Sequence, residues 1–283
     1  MPTALLFPGQ GSQTPDMREV VEEVVPELVR RAADEVGADP FARVAGGTQF
    51  AQPALYCASI ALFIRAGSPG AQLIAGHSLG EIGALVAGGS ISIEDGLWVA
   101  AHRGRVMQEA ADAASPGGML ALLGDEAKTR RIAASYRLTV ANDNAPGQLI
   151  LSGPAEELDA AAGEAKEAGL KAMPLAVSGA FHTEAMAKAV PEFRAVLAQI
   201  DVRAPSVPVF SSVTARPFED IRTELAQALV RPVRWRETLF ALRDRGAERF
   251  VEVGPGKVLK GLVRRTLPDV DARVLSEREV AHV

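Results

Sequence analysis

The sequence predicts an α/β fold: a mostly parallel sheet interleaved with helices, and one inserted ferredoxin-like subdomain. Three observations predict it. Short apolar runs at residues 4–7, 73–75 and 249–253 alternate with longer stretches whose apolar residues recur at helical spacing. The run Leu73-Ile74-Ala75 enters Gly76-His77-Ser78-Leu79-Gly80, a G-x-S-x-G pattern, and residues 82–87 then read as a helix. Between Met119 and Val177 the elements read strand, helix, strand, strand, helix, strand, the split βαβ order.

At 283 residues the chain can bury a sizeable core, and 48% apolar with 23% charged residues is ordinary for a soluble globular protein. A net charge of −5 argues against nucleic-acid binding by the chain as a whole. The one cysteine, Cys57, sits in an apolar helical stretch and reads as core; alone it excludes an intramolecular disulfide and fits a reducing compartment. No basic leader precedes the first strand and no apolar run approaches the ~18 residues of a membrane span, so the expected location is the cytoplasm, with no membrane association.

Taken in order, the strand at 4–7 ends in Pro8-Gly9-Gln10-Gly11-Ser12-Gln13. This Gly-rich loop lacks the G-K-[ST] ending of a phosphate loop; it is a tight turn or a wall of a site offering the Gln10 N–H. Residues 17–36 are helical by spacing with a break at Pro26, and Gln52-Pro53 is expected to start a helix over 54–63. At 76–80 a strand, a sharp turn and a helix make either a nucleophile elbow or a plain strand–helix turn that contains a serine. In the first case Ser78 is held into a cleft, and the Leu79 N–H can bind a developing oxyanion. Ser92, three residues before Asp95, caps a helix carrying His102, Arg103, Arg105 and Met107, where an arginine ordinarily occupies a solvated face.

In the insertion, strands are expected at 119–123, 138–141, 148–152 and 171–177, with helices at 126–136 and 155–168. Residues 142–147 form its tip loop, and Asn142 and Asn144 are either turn formers or amide donors into the cleft. The expected division is 1–116 and 179–283 for the large subdomain and 117–178 for the small one. Of four histidines, His282 lies in the C-terminal tail, His77 should point away from the serine, and His102 neighbours a cation. His182, where the chain re-enters the large subdomain, is the general-base candidate for Ser78. Helices are expected at 190–197, 221–229, 232–242 and 258–265, and strands at 207–211 and 249–253. Residues 231–265 hold ten basic groups against four acidic ones, a patch suited to an anionic partner.

Six motifs now stand in order: Phe7-Pro8-Gly9-Gln10-Gly11-Ser12-Gln13, Gly76-His77-Ser78-Leu79-Gly80-Glu81, Arg103-Gly104, Gly179-Ala180-Phe181-His182, Pro232-Val233-Arg234-Trp235 and Glu252-Val253-Gly254-Pro255-Gly256. Over nearly the whole chain this resembles the malonyl-CoA:acyl carrier protein transacylases of type II fatty acid synthesis and the acyltransferase domains of polyketide synthases. The resemblance implies an α/β-hydrolase-like large subdomain with the ferredoxin-like small one. It implies Ser78 as nucleophile, His182 as base, and the Gln10 and Leu79 N–H groups as oxyanion hole. Arg103 becomes the ligand of the malonyl carboxylate, held bidentately, and Met107, Phe181, Asn142 and Asn144 join it in binding substrate. Phe181 fills the space of a methyl branch, a distinction worth about 1–3 kcal/mol.

Two departures from the family pattern are visible. The residue whose backbone carbonyl orients the histidine is expected to be a Gln four residues before the Pro-Val pair; Ala228 stands there, with Gln227 one residue earlier. The segment between Gln13 and Gln52 is shorter than usual, implying a trimmed peripheral helical region. The implied reaction is ping-pong transfer of malonyl from malonyl-CoA through Ser78 to the phosphopantetheine thiol of acyl carrier protein. No resident cofactor is expected, and the enzyme is expected to act as a monomer in fatty acid synthesis. The rival is a discrete acyltransferase serving a polyketide pathway in trans. A serine esterase fits less well, because no acidic third member is placed between Ser78 and His182.

Overall fold

The computed structural model describes residues 1–177 and 179–275. His282 and the Ser178 boundary lie outside the described residues. Ten strands are formed: β1 Thr3–Phe7, β2 Leu73–Gly76, β3 Gly117–Leu123, β4 Thr139–Ala145, β5 Gln148–Pro154, β6 Lys171–Pro174, β7 Val209–Ser211, β8 Arg216–Pro217, β9 Arg249–Glu252 and β10 Asp271–Val274. They make a six-stranded sheet in the order β10-β9-β1-β2-β7-β8 and a four-stranded sheet in the order β4-β5-β3-β6.

In the larger sheet every pair is parallel except β7–β8 at one edge. Both its faces are buried, which is why its strands read as continuous apolar runs. Leu5, Phe7, Ile74 and Val251 point to one side, into a core shared with the Thr48–Arg65, Gly80–Ala87 and Ile93–Asp112 helices. Ala4, Leu6, Ala75 and Phe250 point to the other, against the Trp235–Asp244 and Val258–Thr266 helices. Trp235 is fully buried there, one of several side chains each worth about 1.5–3 kcal/mol of burial.

The smaller sheet is antiparallel throughout. Its alternation of side chains separates two cores. Leu120, Leu122 and Leu151 pack on the Glu126–Ser135 and Ala155–Glu167 helices, through Ile132, Leu158, Ala161 and Ala165. Met119, Ala121, Ala141 and Ile150 face the opposite way, into the core of the large sheet. That second face docks the four-stranded layer over the nucleophile elbow.

Several expectations change. Residues 142–147 are not a tip loop: Asn142, Asp143 and Ala145 pair with Ile150, Leu149 and Gln148, leaving only Pro146-Gly147 as the turn, with Gly147 at φ 70°. The polar residues extend as strand because both edges find partners; Asp143 N–H donates to Val233 O at 2.9 Å, and Val233 N–H donates to Ala141 O at 2.8 Å. The helix expected from Gln52-Pro53 begins at Thr48. The Gln108 side chain accepts the Thr48 N–H at 3.0 Å and Gly47 O takes the next turn, so the helix is nucleated upstream and Pro53 merely omits one donor. The strand expected to reach Val177 stops at Pro174, because a Leu175–Val177 turn of 2.9 Å follows. The edge strands β8 and β10 carry no strong apolar pattern and were not expected from the sequence.

Candidate active site

The elbow is built as its glycines require. β2 ends at Gly76, Ser78 takes φ +53°, and the Gly80–Ala87 helix follows at once. A Cβ on Gly76 would lie 2.0 Å from the Gly80 carbonyl carbon, and one on Gly80 would lie 2.0 Å from Phe7 O. Only glycine lets the helix start press on β1 and β2, and this close approach forces the serine outward. The helix N-terminus beneath Ser78 favours negative charge there.

Ser78 Oγ lies 2.9 Å from His182 Nε2. His182 Nδ1 lies 2.9 Å from Ala228 O and 3.1 Å from Arg231 O. Two carbonyl acceptors fix the proton on Nδ1, so Nε2 carries the lone pair that accepts the Ser78 hydroxyl proton. Burial pushes the His182 ring down to about 3, helped by the Arg103 charge and by His77. The imidazole is neutral and ready as a base. The orienting carbonyl is that of Ala228 rather than Gln227, and Arg231 adds a second that sequence reasoning missed.

Arg103 is buried, on the Ile93–Asp112 helix, and is not the solvated residue its local pattern suggests. Gly104 makes this possible: a Cβ there would lie 2.8 Å from Thr48 O, so the two long helices touch and Arg103 reaches across. Arg103 Nη1 donates to Gln52 Oε1 at 2.7 Å and Nη2 to Ser78 Oγ at 3.1 Å. It has no salt bridge among the described residues. Burial draws its guanidinium down to about 10, with Glu81 opposing. A buried cation held by neutral groups is an anion site in waiting.

Gln52 is held in turn, donating to Thr48 Oγ1 at 2.8 Å and to Met107 Sδ at 3.4 Å, and Thr48 Oγ1 donates to Gln10 Oε1 at 2.9 Å. Sequence reasoning used Gln52 only as a helix start; its position one helix across from Arg103 depends on tertiary packing.

One cleft is lined by Gln10, Gln52, His77, Ser78, Leu79, Arg103, Met107, Met119, Asn142, Leu175, Val177, Phe181 and His182. Among the described residues the Gln10 and Leu79 N–H groups have no backbone acceptor. Asn142 lines the cleft and its Oδ1 is buried without a hydrogen-bond partner. Asn144 is placed differently: its Oδ1 lies 2.8 Å from His77 Nε2, behind the lining. His77 sits edge-on to Trp235 at 5.2 Å and is kept neutral by burial, so it braces the elbow while one edge borders the cleft. His102 lies against the Trp98 ring, its Nδ1 2.9 Å from Trp98 O, away from Ser78. Met119 from the four-stranded layer, with Leu175 and Val177 just beyond its last strand, forms an apolar wall of the cleft, which no local spacing in the sequence marks.

Fold and site together define a class, a mixed α/β acyltransferase. The chain belongs to the acyl transferase domain family, whose model matches residues 27–281. It is 39% identical over 285 residues to the malonyl CoA-acyl carrier protein transacylase of Bacillus subtilis, covering 93% of this chain and 89% of that one. It is 41% identical to the polyketide biosynthesis protein ThaF of Burkholderia thailandensis over 94% of this chain; the match spans only 24% of ThaF's length. The solved malonyl CoA-acyl carrier protein transacylase of Coxiella burnetii superposes with a TM-score of 0.90 at 33% identity, covering 99% of this chain and 96% of that one.

Proposed function

We infer that this chain transfers malonyl from malonyl-CoA to the phosphopantetheine thiol of acyl carrier protein, supplying extender units for fatty acid synthesis. The observation that carries the reading is the buried Arg103 guanidinium 3.1 Å from the Ser78 hydroxyl, a cation placed where a carboxylate one methylene away from the attacked carbonyl would sit. An esterase has no use for that charge.

Ser78 Oγ gives its proton to His182 Nε2 and attacks the thioester carbonyl. The oxyanion takes hydrogen bonds from the Leu79 and Gln10 N–H groups, and Arg103 leaves Ser78 to clasp the malonyl carboxylate. The tetrahedral adduct collapses, the C–S bond breaks, and the CoA sulfur takes the proton from His182, leaving malonyl-Ser78. The pantetheine thiol then gives its proton to His182 and repeats the attack, and Ser78 recovers the proton on leaving. One thioester, malonyl-CoA, and the carrier-protein thiol are the substrates, the second thioester is the product, and no step calls on a resident cofactor.

Phe181, Met107 and Asn142 shape the acyl and pantetheine path in this reading. The four-stranded layer is read as a ferredoxin-like small subdomain, 117–178, inserted into an α/β-hydrolase-like large one, 1–116 and 179–283. Of the ten cations at 231–265, Arg234, Arg236, Arg243 and Arg249 pair with carboxylates among the described residues, Arg265 is held by Gln148 and Arg245 lies over Phe210, and these two with Arg231, Lys257, Lys260 and Arg264 are read as meeting an acidic carrier protein. Among the described residues no helix is long and apolar enough to cross a membrane. The reading is of a monomer working in the cytoplasm.

The test is intact mass after malonyl-CoA. The chain should gain one malonyl group, Ser78→Ala should gain none, and added holo carrier protein should remove it. Acylation of Ser78→Ala would sink the assignment. The similarity to ThaF favours one second reading, a discrete acyltransferase serving a polyketide pathway, and transfer rates to carrier proteins of the two kinds separate them.

A further inference from the structure

Glu81 belongs to the elbow motif, and the reaction written above does not use it. It sits in the first turn of the helix that starts at Gly80, three residues beyond the nucleophile, and is 1% exposed. Its Oε1 accepts two hydrogen bonds from one residue across the sheet, the Ser212 N–H at 2.6 Å and the Ser212 hydroxyl at 2.9 Å. Ser212 is gripped from its other side too, since its carbonyl accepts the Arg234 N–H at 2.6 Å.

The chain between Ser212 and Arg234 is therefore a loop closed at its neck, with the Ile221–Gln227 helix inside it. That loop carries both carbonyls that hold His182 Nδ1, at Ala228 and Arg231. Ser78 and Glu81 ride on one rigid turn, whereas His182 takes its orientation from the loop. The distance between nucleophile and base thus depends on how the loop is tied to the elbow helix, and Glu81 makes that tie.

We propose that Glu81 is the positioning residue of the Ser78–His182 pair, anchoring through Ser212 the loop whose two carbonyls set the histidine. The hydrogen-bond acceptor does this, and the charge is secondary. Burial pushes the carboxyl up to about 7, against the pull of Ser212 and Arg103, and either protonation state leaves Oε1 free to accept both bonds. No substrate-binding group lies in this chain of hydrogen bonds, so the positional effect belongs to turnover; the Glu81 charge also acts on Arg103 through space, and Glu81→Asp, which keeps that charge, leaves affinity unchanged.

The proposal rests on the nucleophile and base of the preceding section but not on the acyl group transferred. Two near-isosteric variants separate its terms. Glu81→Gln keeps the acceptor and its reach while deleting the charge; Glu81→Asp keeps the charge and shortens the reach by one methylene. Malonyl transfer and the release of p-nitrophenol from p-nitrophenyl acetate are measured on both, with the His182 Nδ1–H resonance by NMR. A base displaced by about 1 Å loses on the order of a hundredfold in rate. Glu81→Asp should therefore lose roughly ten- to a hundredfold in kcat on both substrates, with KM for malonyl-CoA unchanged and the Nδ1–H resonance shifted or lost. Glu81→Gln should stay within about threefold of the parent and keep the resonance. Glu81→Asp turning over like the parent, or Glu81→Gln falling tenfold or more, overturns the proposal; the second arm holds even if Glu81→Asp does not fold. A parent that reacts with the nitrophenyl ester but ignores malonyl-CoA refutes the malonyl reading and leaves Glu81 testable.

Discussion

Replacing Arg103 by alanine is the sharpest test of substrate choice. The guanidinium is 3% exposed, so a malonyl carboxylate placed on it is almost fully desolvated and both charge-assisted hydrogen bonds count. At about 1.5–3 kcal/mol for each bond to a charged group, a bidentate pair contributes roughly 3–6 kcal/mol. At 1.4 kcal/mol per factor of ten, kcat/KM for malonyl-CoA should fall by roughly two to four orders of magnitude. Acetyl-CoA has no carboxylate to lose, so its rate should change by less than about tenfold. Part of that smaller change comes from the Nη2 bond to Ser78 Oγ, whose loss lets the hydroxyl turn freely. Arg103→Lys should recover little, because a single ammonium cannot reproduce the fork that bridges Gln52 and the carboxylate. The assay is quenched-flow acylation of Ser78 followed by intact mass, with the two thioesters in separate and in competing reactions. If Arg103→Ala keeps the parent's malonyl-to-acetyl ratio within about threefold, the carboxylate role is wrong, and so is the argument that a buried unpaired cation marks an anion site.

Four further outcomes follow from the same geometry. His182 held near 3 stays neutral across the working range, so kcat/KM should be flat down to about pH 4, and a limb near 6.5 would contradict the burial argument. The same depressed value makes the unfolded chain bind a proton below 6.5 that the native state refuses, so stability from this group is complete above 6.5 and lost as pH falls toward 3. Glu81, raised to about 7, acts in the opposite sense between 4.5 and 7; His182→Gln should therefore grow more stable relative to the parent on acidification, by up to about 1 kcal/mol per pH unit, and parallel urea curves would refute this. Gly80→Ala must push a methyl group into Phe7 O and should cost more than about 3 kcal/mol, seen as a large fall in Tm or an insoluble chain; a normal Tm would show that the elbow can relax. Phe181→Ser should admit methylmalonyl-CoA, raising its kcat/KM relative to malonyl-CoA by roughly ten- to a hundredfold, and an unchanged ratio would place the methyl branch elsewhere.

The sequence by itself determined the local matters: the buried runs of β1, β2 and β9, the serine between two obligatory glycines, the split βαβ order, and a histidine at the re-entry point. Each is written in nearest-neighbour terms, as period-two or period-3.6 spacing and as residues that alone tolerate a given backbone. Even Ser92 as a helix cap belongs here, accepting the Asp95 N–H at 2.9 Å. The tertiary structure decided what those terms cannot express. Arg103 reads as a surface arginine until Gly104 brings two helices into contact. Residues 142–145 read as turn formers until Val233, far along the chain, offers them a strand edge. Gln52 and Arg231 acquire their places only when segments distant in sequence meet. Hydrogen bonds and burial depend on what lies opposite a residue, and no spacing rule within one segment carries that information; this is why the serine of the elbow was legible from its own motif, whereas Arg103 and Ala228 came only with the family resemblance and Arg231 not at all.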